Sequence, residues 1–362
     1  MTAQKLNEIL QQFHIEADVT PYGAGHINDT YLAQVMPDEF ILQRINHNIF
    51  KEPEKLMENI VNVTEHLRKK ILARGGDAKR ETLTVIKTLD GKDFYKTPDG
   101  NYFRLYNFVT GTDTYQTVEK PEQFYKSGKA FGKFQNDLAD FPAAKLFDTI
   151  PDFHNTKIRF GNLLRAIEED KAERKAELID EIAFALERES DTAIVVDAIA
   201  NGEIPLRVTH NDTKLNNVLF DQDSGVGICV IDLDTVMPGS LLYDFGDAIR
   251  FGASTAAEDE KDLSKVSCSL ELFEAFVKGF LEELGESINP KEVELLTFSA
   301  KLMTYECGIR FLTDYLNGDE YFKIHRPEHN LDRCRAQFKL VKDMEEKSEQ
   351  MKGIVKKLCN PN

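Results

Sequence analysis

The chain reads as an α+β protein with a small β-rich N-terminal part and a larger, mainly α-helical C-terminal part. Three observations point there. Short apolar segments bounded by turn residues crowd positions 18 to 108, long charged segments of helical character take over after Gly111, and one strand-turn-strand signature interrupts them near residues 218 to 231. At 362 residues and 41% hydrophobic, the chain can bury a core in each of two lobes. We place the boundary at 108, with an N-terminal lobe over 1–108 and a C-terminal lobe over 109–362.

Leu6, Ile9, Leu10 and Phe13 recur at helical spacing among polar residues, so Met1 to Phe13 reads as an amphipathic helix and not as a signal peptide. Val19–Tyr22, Thr30–Val35 and Phe40–Ile45 are strand candidates joined by turn residues. Pro53 to Lys70 reads as a helix with Pro53 in its first turn. Lys92–Tyr95 and Tyr102–Phe108 flank Thr97-Pro98-Asp99-Gly100, a hairpin signature. Beyond Gly111, Phe160 to Arg188 and Leu270 to Leu284 read as long helices, with Glu168 to Glu177 as a solvated face.

The formal net charge of −17 argues against nucleic acid or an anionic membrane as partner, since both are bound through clustered Lys and Arg. No run approaches the ~20 apolar residues that cross a bilayer. The five cysteines, at 229, 268, 307, 334 and 359, form no C-x-x-C pair, which suits a reducing compartment. We expect a cytoplasmic protein.

The chemistry concentrates in His210-Asn211-Asp212-Thr213-Lys214-Leu215-Asn216-Asn217 and, shortly after, Val230-Ile231-Asp232-Leu233-Asp234. Asp212 follows the apolar-rich run Ile204 to Val208, where a chain leaving a strand can aim a carboxylate at a substrate. Asn217 lies five residues beyond it, the H-x-D-x-x-x-x-N spacing in which the Asp orients a hydroxyl and the Asn binds a metal. Val218–Phe220 and Ile228–Ile231 read as strands around the turn Asp223-Ser224-Gly225, which would return Asp232 beside Asn217. Asn217 and Asp232 suit Mg²⁺, a hard cation that takes one or two protein oxygens and leaves the rest to water and phosphate. Any one of these residues alone is better explained by a loop cap or an Asx turn; together they point to phosphoryl transfer with Asp212 as the base. A literal Asp244-Phe245-Gly246 also occurs, but the turn at Pro238-Gly239 separates it from the hairpin. We expect Asp244 to cap a helix or to hydrogen-bond the catalytic loop.

These strings, with Tyr243-Asp244-Phe245-Gly246-Asp247, resemble the aminoglycoside phosphotransferase and choline kinase superfamily. Three longer strings, Pro21-Tyr22-Gly23-Ala24-Gly25-His26-Ile27-Asn28, Phe40-Ile41-Leu42-Gln43-Arg44-Ile45-Asn46 and Glu306-Cys307-Gly308-Ile309-Arg310-Phe311-Leu312-Thr313-Asp314-Tyr315, are similar to the N-acetylhexosamine 1-kinase group within it. The resemblance implies a two-lobed protein-kinase-like fold, nucleotide in the cleft, and transfer of the γ-phosphate of ATP to a sugar hydroxyl. Choline or ethanolamine kinases, aminoglycoside kinases and a non-catalytic nucleotide-binding module are the alternatives.

Gly23 and Gly25 lie between two strand candidates, where backbone N–H groups can approach a phosphate. On the third strand, Gln43 stands where kinases carry a phosphate-contacting Lys, with Arg44 beside it. Alternation lets only one of the two point inward, and the helical partner carboxylate is Glu54 or Glu58. For the acceptor, His26, Asn28, Phe251, Arg310 and Asp314 are the candidates. Glu306, Arg310 and Asp314 share one helical face, and Phe251 offers an apolar surface to a sugar.

Overall fold

Residue alternation builds the N-terminal sheet, and helical periodicity builds most of the chain beyond it. The structure, a computed structural model, describes residues 1–23 and 27–359. In chain order it runs α1 (Ala3–Leu10), β1 (Asp18–Pro21), β2 (Asp29–Val35), β3 (Asp38–Ile45), α2 (Pro53–Ala73), β4 (Tyr95–Lys96), β5 (Tyr102–Asn107), β6 (Thr112–Asp113), α3 (Pro121–Asp137), α4 (Thr156–Glu169), α5 (Ile179–Leu186), α6 (Ile194–Ala200), β7 (Arg207–Thr209), β8 (Val218–Asp221), β9 (Gly227–Val230), β10 (Met237–Gly239), α7 (Leu241–Gly252), α8 (Leu270–Leu284), α9 (Pro290–Asn317), α10 (His329–Glu346) and α11 (Ser348–Cys359). No helix among the described residues is long and apolar enough to cross a membrane.

Two compact units emerge, one of Met1–Thr114, Asp140–Pro151 and Val218–Met237, the other of Tyr115–Ala139, Asp152–Asn217 and Pro238–Asn362. A single boundary at 108 does not describe this division. The β8–β9 hairpin groups with the first unit because Thr112 and Asp113 of β6 pair with Asp221 and Phe220 of β8.

In the first unit, five antiparallel strands order as β1-β2-β3-β5-β4. One face carries Ala33, Leu42, Phe103 and Leu105, on which α1 lays Leu6, Ile9 and Leu10. That burial explains the apolar spacing of the N-terminal segment. β4 begins at Tyr95 and not at Lys92, because Lys92 N–H donates to Thr88 Oγ1 at 2.9 Å and its carbonyl accepts from Thr88 N–H at 2.8 Å. The pair closes a turn that leaves Lys92 no ladder bond.

The second unit is helical. α3 and α8 meet backbone to backbone: a Cβ on Gly128 would lie 2.5 Å from the Phe276 carbonyl oxygen, so only glycine fits there. α9 opens on a capping box between Asn289 and Glu292 with Pro290 in its first turn. Its Tyr305, Ile309 and Leu312 pack with Phe160 and Leu163 of α4 and Leu331 and Phe338 of α10. The expected long helix from Phe160 to Arg188 is broken. α4 stops at Glu169, Asp170 takes a left-handed φ of 41°, and its carboxylate accepts from Arg174 N–H at 2.9 Å and Lys175 N–H at 3.0 Å. Glu168 to Glu177 is therefore a helix end and a turn.

Asp221 closes the β8–β9 turn. It accepts from the Ser224 backbone at 2.9 Å and hydroxyl at 2.8 Å and pairs with Arg80 at 2.9 Å, and these donors pull its carboxyl down from 3.8 to about 2. Its contribution to stability is thus present above its unfolded value and lost as pH falls through the folded one. In melting profiles against pH, Asp221→Asn is expected to flatten the loss between about pH 4 and 2. Gly128→Ala is expected to cost roughly 1–3 kcal/mol in urea unfolding, the usual range for overpacking, because backbone and not a yielding side chain blocks the methyl.

Candidate active site

The loop from His210 to Asn217 leaves β7 in the second unit. Arg207 in β7 is held by a buried bidentate pair with Glu292, at 2.6 and 2.7 Å. His210 is buried edge-to-face against Phe131 and Phe134, with centroids 5.7 and 6.0 Å away. Asp244, in the first turn of α7, accepts from His210 N–H at 2.9 Å, Asn211 N–H at 2.7 Å and Gln135 Nε2 at 2.6 Å. Burial pushes the Asp244 carboxyl up, against the pull of His210, the two backbone donors and Gln135. The D-F-G string is thus a loop anchor, although the expected turn at Pro238-Gly239 is instead part of the short strand β10, from which the chain passes through Ser240 into α7. Its Gly246 serves packing: a Cβ there would stand 2.4 Å from the Ser299 carbonyl oxygen of α9.

Asp212 follows Asn211, whose φ of 65° is left-handed. Its carboxylate is half-buried, with Lys214 Nζ 2.8 Å from Oδ1 and Asn217 Nδ2 3.3 Å from Oδ2. Asn217 Nδ2 also donates to the Asp212 carbonyl at 2.8 Å. That commits the amide nitrogen inside the loop, and the reversed amide would set two oxygens against each other. Burial alone would lower the Lys214 ammonium, but Asp212 and Asp247 outweigh it and hold it above its ordinary value. Asp247 in turn accepts from Thr213 N–H at 3.1 Å and Arg250 Nε at 2.9 Å, and Arg250 reaches Glu258 at 2.7 Å.

Behind the loop, His154 lies between Glu306 of α9, at 2.7 Å, and the Asn211 carbonyl, at 3.2 Å. Arg310, one turn beyond Glu306, and Arg159 of α4 both address the ring of Phe153, at 5.3 and 5.9 Å from its centroid. Arg310 also lies 5.5 Å from the centroid of Phe322.

In the first unit, strand register answers the question left open at β3. Gln43 pairs across with Arg104 of β5, and its Oε1 accepts from Arg104 at 2.8 and 3.0 Å while its Nε2 donates to Thr30. Arg44 points to the other face and pairs with Asp29 at 2.5 Å, so it does not supply the cation beside Gln43. Arg104 does. It is buried against Asp234. Burial disfavours its charge, yet Asp234, Tyr106 and Asp232 together hold it above the ordinary guanidinium value. Glu54 is engaged elsewhere, accepting from the Tyr102 hydroxyl at 3.1 Å.

Two acceptor candidates prove to have structural work. Asn28 donates to Asp234 at 2.5 Å and accepts from Asn46 N–H at 2.9 Å, which uses both ends of its amide inside the first unit. Asp314 accepts from Tyr321 N–H, Phe322 N–H and Asn330 Nδ2, so its carboxylate anchors the turn after α9. Phe251 is half-buried in the last turn of α7. Gly23 has a left-handed φ of 74°, while Gly25 and His26 lie outside the described residues. Sequence reading passed over Lys214, Arg104, Asp247 and His154. Lys214 was findable, two residues from Asp212 in the same string, and Asp247 closes the Tyr243 to Asp247 string; Arg104 and His154 stand in no motif.

The family model of the phosphotransferase enzyme family, APH, matches residues 18–272. Among solved structures, a microcompartment-associated aminopropanol kinase aligns with a TM-score of 0.64 at 14% identity, covering 97% of this chain and 99% of that one. The spectinomycin phosphotransferase APH(9)-Ia, in complex with ADP and spectinomycin, gives 0.58 at 17% identity, covering 97% and 99%. A choline/ethanolamine kinase family protein from Mesorhizobium loti gives 0.53 at 14% identity, covering 93% and 92%. At these identities the structural likeness shows the fold, and the family match spans well over half of the sequence. The chain belongs to the phosphotransferase enzyme family.

Proposed function

We propose that the protein is an ATP-dependent kinase that phosphorylates the anomeric C1 hydroxyl of an N-acetylhexosamine. The observation that carries the phosphotransfer reading is the setting of Asp212: a half-buried carboxylate on a loop locked from behind, flanked by a charged Lys214 and by Asn217. Asp212 would orient the acceptor hydroxyl and take its proton as the oxygen bonds to the γ-phosphorus and the bond to ADP breaks. An adenine nucleotide as donor is supported by the ADP bound in the spectinomycin phosphotransferase.

The residues suit Mg²⁺. With its nitrogen committed to Asp212, Asn217 presents an amide oxygen that has no partner among the described residues. Asn217 directly precedes β8, Asp232 follows β9 by two residues, and Val218 pairs with Val230 in that hairpin. The two oxygen ligands match what Mg²⁺ usually takes from protein. Mg²⁺ held there would neutralise charge on the transferring phosphoryl group. On the nucleotide side, we assign Gln43 and the backbone at Gly23 and Gly25, with Arg104 as the buried cation behind Gln43.

For the acceptor, support comes from the guanidinium groups of Arg159 and Arg310, neither of which has a carboxylate at ion-pair distance among the described residues. Two cations without a directly ion-paired carboxylate, set beside aromatic rings, favour a neutral, hydroxyl-rich acceptor over choline or a polycationic aminoglycoside. Arg310 with Phe251 forms our acceptor assignment, and the string similarity to N-acetylhexosamine 1-kinases supplies the sugar and the C1 position.

The test is ADP release with Mg-ATP against hexosamines, hexoses, choline, ethanolamine and aminoglycosides, with phosphorus NMR locating the phosphate. A C1 phosphate on an N-acetylhexosamine is the expected result; turnover only on an amine overturns the sugar assignment, and ATP binding without any turnover overturns the enzyme. Asp212→Asn is expected to lower kcat by roughly 10²–10⁴-fold, the usual share of a general base, while titration calorimetry shows ATP affinity little changed. Arg310→Gln is expected to raise the KM for the sugar by about 10-fold or more, as losing a charge-assisted hydrogen bond does, with a smaller effect on kcat.

A further inference from the structure

We propose that Phe322 and Phe153 are positioning residues whose rings hold the Arg310 guanidinium, so that the turn after α9 sets the geometry of acceptor binding; the inference rests on the reading of Arg310 as an acceptor-binding residue. The guanidinium carbon of Arg310 lies 5.3 Å from the centroid of Phe153 and 5.5 Å from that of Phe322. The group makes no hydrogen bond to any described residue. A guanidinium carries its five N–H donors in one plane, and an aromatic ring attracts the cation through its π face. A carboxylate partner would fix the side chain as well, but a bidentate pair would consume two of the donors. Rings hold the cation and leave the donors to a ligand.

Charged neighbours do not supply that grip. Glu306, one turn back on α9, has both oxygens engaged, by His154 at 2.7 Å and by the Thr156 hydroxyl at 2.6 Å. Arg159 repels: burial first and Arg310 second pull the Arg159 guanidinium below its ordinary value. Each ring is itself fixed. Arg159 donates to the Phe153 carbonyl from Nε at 3.1 Å and from Nη2 at 3.0 Å. Phe322 depends on Asp314. Gly318 and Asp319 take left-handed φ values of 98° and 64°, which turn the chain back at the end of α9. Asp314 then accepts from Tyr321 N–H at 2.7 Å, Phe322 N–H at 2.9 Å and Asn330 Nδ2 at 2.9 Å. The Phe322 ring packs on Phe311, with centroids 4.7 Å apart. Asp314 lies one helical turn beyond Arg310, so the carboxylate that fastens the turn brings a ring back to the cation four residues earlier. It serves Arg310 at one remove.

Nitrogen-15 relaxation of the Arg310 Nε–H group, assigned by its loss in Arg310→Gln, reads the order of the guanidinium without turnover. An ordered group is expected in the unsubstituted protein. In Phe322→Leu, which keeps an apolar contact with Phe311, the order parameter is expected to fall below about 0.6. Phe322→Tyr, which keeps the ring, is expected to restore it. Phe322→Leu is also expected to raise the KM for the sugar about 3- to 10-fold, the span one ring contact is worth, with kcat and the KM for ATP nearly unchanged. In the Arg310→Gln background the same substitution is expected to change that KM by less than about 2-fold, because the ring then has no cation to hold. Phe153→Leu is expected to behave as Phe322→Leu does. A guanidinium as ordered in both folded leucine variants as in the unsubstituted protein overturns the clamp, and so do KM effects that multiply independently in the double variant. Should Arg310→Gln leave the KM for every acceptor unchanged while the guanidinium loosens in Phe322→Leu, the acceptor assignment of Arg310 fails and the ring clamp stands.

Discussion

A buried carboxylate must be given hydrogen-bond donors, and Asp244 takes two of its donors from the backbone of the loop from His210 to Asn217. That requirement ties α7 to the loop and stops the peptides at His210 and Asn211 from rotating. The remaining contacts of the loop build on this anchor. His210 fills the space beside Phe131 and Phe134, Asn211 is held in a left-handed conformation, and Asp212 emerges in one direction. Placing Asp244 there requires α7 to approach α9 closely, which Gly246 allows. A motif that looks like a metal site is, in this chain, the fastening of another.

The distribution of charge obeys the same demand. The chain carries a formal net charge of −17, yet Asp212, Asp247, Glu258 and Glu306 around the loop each have a local cationic or imidazole partner. Lys214 attends Asp212, Arg250 attends Asp247 and Glu258, and His154 attends Glu306. In the first unit, Arg104 attends Asp234 in the same way. Such pairing is what burial demands, because a lone charge out of water is costly and a paired one is tolerated. Against that background Arg159 and Arg310 stand out, resting on phenyl rings without a paired carboxylate among the described residues. They carry the acceptor proposal for that reason.

Period and spacing made a good part of the architecture legible. The stripe Leu6, Ile9, Leu10 and Phe13, the strands on either side of Met36-Pro37, the helix opening at Pro53 and the β8–β9 hairpin all obey rules that act over a few residues. The loop string was legible for the same reason, since His210, Asp212, Lys214 and Asn217 lie within eight positions. Where local rules failed, a local hydrogen bond had overridden the periodic pattern. Asp170 turned the chain out of α4, and Thr88 held Lys92 in a turn.

The order of residues alone specifies the class of fold, the string from His210 to Asn217 and the β8–β9 hairpin that precedes Asp232. Which groups those residues meet is settled only by the packed chain. Arg104 reaches Asp234 across 130 positions and His154 reaches Glu306 across 152; no periodicity encodes such distances. Alternation alone could not choose between Gln43 and Arg44, because it says that two neighbours face opposite ways without saying which face is buried. The register of β3 against β5 made that choice, and it depends on how the whole sheet packs. Asp314 looked like a recognition residue on a helical face until the turn at Tyr321 and Phe322 claimed its oxygens.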